Sequence, residues 1–137
     1  MKSINAYLVE DSAVIAENLI ATLEELAGVT VVGHSGSEGQ AKSWLVDTGN
    51  DWDLAIVDIF LREGSGLGVI SACSQRAAGR RMVVISNYAT PEMRKHCLGL
   101  GADEVFDKAT EIDALVDYCR ALGDAANLPP TTRDEAE

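Results

Sequence analysis

Five polar side chains stand in or just after strand-like runs. Glu10 and Asp11 follow residues 4–9, Asp58 sits inside Ala55-Ile56-Val57-Asp58-Ile59-Phe60-Leu61, Ser86 follows residues 82–85, and Lys108 closes a short run at 103–106. An ionised carboxylate inside an apolar run is costly unless it is paired or metal-bound. Three carboxylates drawn into one place would repel and raise one another's pKa. A divalent cation relieves that repulsion, and oxygen ligands in a partly hydrated site suit Mg²⁺ best. Lysine adds a mobile positive charge for a phosphoryl or carboxylate oxygen, and a serine hydroxyl can donate one hydrogen bond to the same oxygen. Together the five residues would form a site for a doubly charged oxyanion on, or beside, an aspartate. Aspartate can attack phosphorus to give an acyl phosphate. The cation, lysine and hydroxyl would then neutralise the equatorial oxygens during transfer.

The five can meet only if the elements bring them to one edge. Residues 4–9, 29–34, 53–57 and 82–85 read as strands, rich in β-branched and apolar residues, and Asp103 to Phe106 as a short fifth. Between them run helical stripes. Ser12 is the expected cap of a first helix with Ile15, Leu19, Leu23 and Leu26 inward, stopped at Gly28. Ser35 and Glu38 match a capping box before Ala41, Trp44, Leu45 and Thr48. Leu67, Ile70 and Cys73 mark a third helix, and Thr90-Pro91 opens a fourth that runs to Leu100-Gly101. Thr110 is the expected cap of a fifth, with Ile112, Leu115, Val116, Cys119 and Leu122 inward and Gly123 as its stop. Strands alternating with helices call for a parallel α/β sheet covered on both faces. Its C-terminal edge is where open sheets bind ligands.

One domain is expected over residues 1–123, with 124–137 as an acidic, Pro-containing, disordered tail. The chain carries 11 Lys+Arg against 22 Asp+Glu, a net charge of −11. The tail's single base and four acids give −3 and leave −8 on the body. An acidic body disfavours direct nucleic-acid binding, which depends on basic patches. Cys73, Cys97 and Cys119 are too widely spaced for a metal or redox motif and read as buried hydrophobes. With no apolar stretch near the ~18 residues of a membrane span, and no signal-peptide pattern, the expectation is a cytoplasmic protein without membrane contact.

The sequence resembles a response-regulator receiver domain of two-component signalling, of the stand-alone chemotaxis-regulator type, over about residues 3–123. The resemblance is carried by the acidic pair after the first strand, Asp58 with Gly66 eight residues on, Ser86, and Gly101-Ala102-Asp103 leading to Lys108. It implies a flavodoxin-like, doubly wound sheet in the order 2-1-3-4-5, with two helices on one face and three on the other. It also implies that Asp58 takes phosphate from a phosphohistidine on a sensor histidine kinase or phosphotransfer protein. Asp11 and Asp58 would ligate Mg²⁺ with the Phe60 carbonyl, Glu10 would act through water, and Ser86 and Lys108 would hold the phosphoryl group. Catalysis would be limited to self-phosphorylation and autodephosphorylation. The output would be a changed protein-binding surface for a downstream target the sequence does not name, and a phosphorylation-dependent homodimer is compatible with it. The chain departs from the family's usual residues at Arg62 and Ala109, where proline is common, at Asn87, where a small residue is usual, and at Val105, which replaces the switching aromatic and has Phe106 beside it. Phe60, Asn87 and Tyr88 are expected to set the lifetime of the phosphorylated state by controlling the attacking water.

Two other readings compete. A haloacid-dehalogenase-type phosphohydrolase also uses aspartate, lysine and Mg²⁺, but it requires Asp-x-Asp after the first strand; Asp58-Ile59-Phe60 lacks the second acid. The chain could also be the receiver portion of a longer regulator or hybrid kinase. Gly64-Ser65-Gly66-Leu67-Gly68 fails the G-x-G-x-x-G nucleotide pattern and reads as a flexible loop. His34 and His96 have no partner at ligand spacing, and Trp44 and Trp52 read as packing residues.

Overall fold

A computed structural model describes residues 3–126. Strands and helices alternate: β1 (Asn5–Val9), α1 (Ala13–Ala27), β2 (Thr30–Ser35), α2 (Glu38–Val46), β3 (Leu54–Asp58), α3 (Gly66–Ala72), β4 (Arg81–Ser86), α4 (Pro91–Leu100), β5 (Glu104–Asp107) and α5 (Ile112–Ala126). All strand pairs are parallel and the order is β2-β1-β3-β4-β5, a doubly wound α/β sheet as expected.

The period-two alternation of each strand divides the core into two layers. Tyr7, Val9, Val57, Val84 and Val105 face one way and pack with Ala41 and Leu45 of α2, Val69 and Ile70 of α3, and Cys97 of α4. Leu8, Ile56, Val83, Ile85 and Phe106 face the other way, against Leu19 and Leu23 of α1 and Leu115 and Cys119 of α5. β3 lies at the centre with all five residues buried, Asp58 among them. Trp44 stacks on Tyr7 with ring centroids 4.2 Å apart, and buried Trp52 donates from Nε1 to the Leu45 carbonyl, so both tryptophans are packing residues.

Ser12 and Thr90 cap α1 and α4 as expected, and Gly28 and Gly101 end those helices at positive φ of 69° and 120°. Four local expectations are corrected. On α1, Ile15 and Leu26 are 37% and 48% exposed; the buried stripe is Ala16, Leu19 and Leu23. Ser37, not Ser35, caps α2, because Ser35 is still the last residue of β2. α5 starts at Ile112, two residues past Thr110, and the turn before it is held by Asp107 Oδ1, which accepts from the Ala109 and Thr110 N–H groups. α5 also runs through Gly123 to Ala126, because the bare Gly123 faces Ile4 across the layer and the residues after it are helix-compatible. Residues 124–126 thus belong to α5; the remainder of the expected 124–137 tail lies outside the described residues.

Candidate functional site

Strand register brings the five residues to one edge. Val9 pairs with Val57, Asp58 with Ile85, and Ser86 with Asp107, so the strands end nearly level. Backbone bonds carry the alignment one residue further: Glu10 N–H donates to the Ser35 carbonyl and Lys108 N–H to the Ser86 carbonyl, both at 3.0 Å. Here Lys108 Nζ lies 2.6 Å from Glu10 Oε1 and 3.0 Å from Asp58 Oδ2. Glu10, Asp58 and Ser86 are buried, with Asp11 half-buried beside them.

One carboxylate oxygen from each of Glu10, Asp11 and Asp58 lies within 4.8 Å of the other two. Three carboxylates against one ammonium leave an excess of two negative charges. An all-oxygen donor set with that excess fits a hard dication such as Mg²⁺. Backbone donors already orient the acids. Ser12 N–H donates to Glu10 Oε2, Phe60 N–H to Asp58 Oδ1, and Arg62 N–H to Asp11 Oδ2 at 2.7 Å. The exposed Arg62 side chain approaches the same Asp11 oxygen at 3.9 Å. His34, exposed at the end of β2, donates from Nε2 to the Glu10 carbonyl.

Burial is the largest influence on Asp58 and pushes its carboxyl above the ordinary value. The Lys108 ammonium and the Phe60 N–H pull it down, while Glu10 adds to the rise. Burial alone would lower the Lys108 value; hydrogen bonds and charge from Glu10 and Asp58 outweigh it, so the ammonium is held above its usual value. Each buried charge thus depends on the others for compensation.

The remaining expected residues surround this centre. The Ser86 hydroxyl is fully buried and accepts the Tyr88 N–H at 3.0 Å. Phe60 and Tyr88 are 54% and 65% exposed and meet edge to face at 5.4 Å, with Asn87 exposed next to Tyr88. Val105 and Phe106 are not gathered into the site. Both are buried, on opposite faces of the sheet, and Phe106 packs edge-on against Tyr118 of α5.

The physical roles of two supports, Gly66 and Glu38, escaped the reading of the sequence. A Cβ on Gly66 would lie 2.2 Å from the Asp58 carbonyl oxygen, so only glycine allows α3 to start this close to the end of β3. Glu38 holds the loop between them: its Oε1 accepts the Ser65 N–H at 2.8 Å and its backbone N–H donates to the Glu63 carbonyl. Gly64, at φ 84°, and Gly68 would both collide with Glu38 if they carried a side chain. Gly64 in the loop and Gly68 in the first turn of α3 therefore leave the space that the Glu38 carboxylate occupies.

The family model described as "Response regulator receiver domain" matches residues 6–120. The chain is 24% identical over 123 residues to the photosynthetic apparatus regulatory protein RegA of Rhodobacter capsulatus, covering 90% of this chain and 65% of that protein. The Francisella response regulator 1452 receiver domain superposes with a TM-score of 0.78 at 17% identity, covering 91% of this chain and all of that one. A DNA-binding response regulator of the LuxR family from Staphylococcus aureus superposes at 0.75 with 13% identity, covering 87% of this chain and 98% of that one.

Proposed function

Because the chain belongs to the response regulator receiver domain family, we propose that it is a phosphoacceptor switch in which Asp58 takes a phosphoryl group from a sensor histidine kinase or phosphotransfer protein. The observation that carries this reading is the Lys108 ammonium, 3.0 Å from Asp58 Oδ2 inside the three-carboxylate cluster. An Asp58 oxygen attacks phosphorus, the P–N bond to the donor imidazole breaks, and its electron pair returns to the imidazole. Hydrolysis of the acyl phosphate restores Asp58 and releases inorganic phosphate.

Lys108 follows the charge from the carboxylate to the phosphoryl oxygens, and the Ser86 hydroxyl exchanges its local bond with the Tyr88 N–H for a donor role. Asp11 and Asp58, with the Phe60 carbonyl, would hold Mg²⁺, and Glu10 would act through a bound water. When bound, the cation supplies the countercharge that three carboxylates and a phosphoryl group lack. Phe60, Asn87 and Tyr88 border the approach and control the attacking water. Val105 and Phe106 belong to the region that reads the site out, through a protein-binding surface or a phosphorylation-dependent homodimer.

A cytoplasmic setting accords with the described residues, in which no helix is long and apolar enough to cross a membrane. The net charge of −11 argues against direct nucleic-acid contact by this chain. A small phosphodonor such as acetyl phosphate, with Mg²⁺, is expected to add one phosphoryl group per chain, and Asp58→Asn to abolish the addition. Labelling that survives the substitution would refute the assignment.

A further inference from the structure

We infer that Arg94 on α4 is a positioning residue for Lys108, acting through the turn that carries it. Lysine ends in a point charge on a flexible four-carbon stem, so where its ammonium rests depends on how firmly its backbone is held. In this chain the turn is fixed entirely by hydrogen bonds, with Ala109 following Lys108. Each backbone N–H from 107 to 111 has a partner. Asp107 donates to Glu111 Oε1, Lys108 to the Ser86 carbonyl, Ala109 and Thr110 to Asp107 Oδ1, and Glu111 to the Asp107 carbonyl.

Glu111 is the member of this set that needs outside support, since its side chain is about one-third exposed. Arg94 supplies it. Its Nη2 pairs with the same Glu111 Oε1 that accepts from Asp107, its Nη1 donates to the Val105 carbonyl at 2.8 Å, and its Nε donates to the Ala89 carbonyl at 2.9 Å. One planar guanidinium thus clasps three segments: the loop that follows Ser86, β5, and the turn that carries Lys108. Neither loop can shift without breaking or remaking one of these bonds. The fork geometry is specific to arginine, because a lysine ammonium cannot span the same three acceptors as a rigid plane.

The significance for catalysis rests on the proposed role of Lys108, but the clasp can be tested on the Lys108 amine itself. Arg94→Ala and Glu111→Ala are compared with the parent chain by native acylation with an amine-selective ester, read by peptide mass. Opening the clasp is expected to raise the Lys108 acylation rate about tenfold, a coupling of ordinary size. Lys42 on α2 is expected to stay within about twofold, and the buried Cys119 to remain unreactive to alkylation. Should Arg94→Ala fail to fold by circular dichroism, Glu111→Ala breaks the same connection from its other end. Unchanged Lys108 reactivity in a folded variant overturns the inference. A rise matched at Cys119 overturns it too, because it marks general loosening. In a second arm, Arg94→Ala is expected to slow labelling by acetyl phosphate in the parent chain and to add no further loss in a Lys108→Ala background. Equal losses in both backgrounds would contradict an action through Lys108. If the parent chain takes no label, the phosphoacceptor reading fails while the acylation result stands.

Discussion

Asp58 is a charged residue inside a fully buried strand, compensated by Lys108 on one side and by the Phe60 N–H on the other. This residue was legible in the sequence because six apolar neighbours made its carboxylate conspicuous, and its four companions each closed a strand. Gly66 was legible as part of a motif but not in its physical role, which depends on a 2.2 Å approach that no local pattern encodes. Gly66→Ala is expected to cost about 1–3 kcal/mol, the usual penalty of forcing a methyl group into a filled space. Denaturant unfolding checks the cost, and an unchanged midpoint would contradict the contact. Phe60 and Tyr88 are exposed yet face each other, which suits residues that govern access and not the core. Phe60→Ala and Asn87→Ala are each expected to change the dephosphorylation rate of phospho-Asp58 by several-fold, in either direction. Rates equal to the parent in both variants would remove these residues from the mechanism.

Among the elements, helices with a strong local signal were placed well: Ser12, Thr90-Pro91, Gly28 and Gly101 act where their types predict. One error fell where a local signal competed with a long-range one. Ser35 matched a capping box, but strand pairing with Val9 kept it in β2 and left Ser37 to cap α2. Glu38, freed from that box, reaches the β3–α3 loop instead, a contact across 27 residues that only the folded chain creates. The Ser65 N–H first, and Lys42 next, hold the Glu38 carboxyl below its ordinary value. A depressed folded value means that the stabilisation is complete above the unfolded value, near ~4.3, and fades as pH falls through the folded one. Glu38→Gln is therefore expected to be less stable than the parent at neutral pH, with the gap closing below about pH 4. Urea midpoints across that range test the sign. A gap that persists undiminished into acid would contradict it.

Across the whole molecule, the alternation of strands and helices and the parallel order followed from periodicity, since a strand buried on both faces has few other homes. What periodicity could not show was how distant surface charges pair. Arg94 and Glu111 look like two solvated residues 17 positions apart, yet with Ala89 and Val105 they join the Ser86 loop to the Lys108 turn. The acidic cluster, the lysine and the clasp form one connected system running from the sheet edge to α4 and α5. Phosphorylation of Asp58 would change the charge at its centre. A population shift at the surface would then follow from differential bonding in the two states.

The most direct measurement of that central claim is chemical localisation of the phosphoryl group. The protein is incubated with acetyl phosphate and Mg²⁺, reduced with borohydride, digested, and sequenced by mass spectrometry. An acyl phosphate at Asp58 is reduced to homoserine at position 58 alone, and omission of Mg²⁺ abolishes the conversion. Homoserine at 58 only, dependent on the cation, is the expected result; modification at position 11, or none at position 58 with the cation present, would contradict the account.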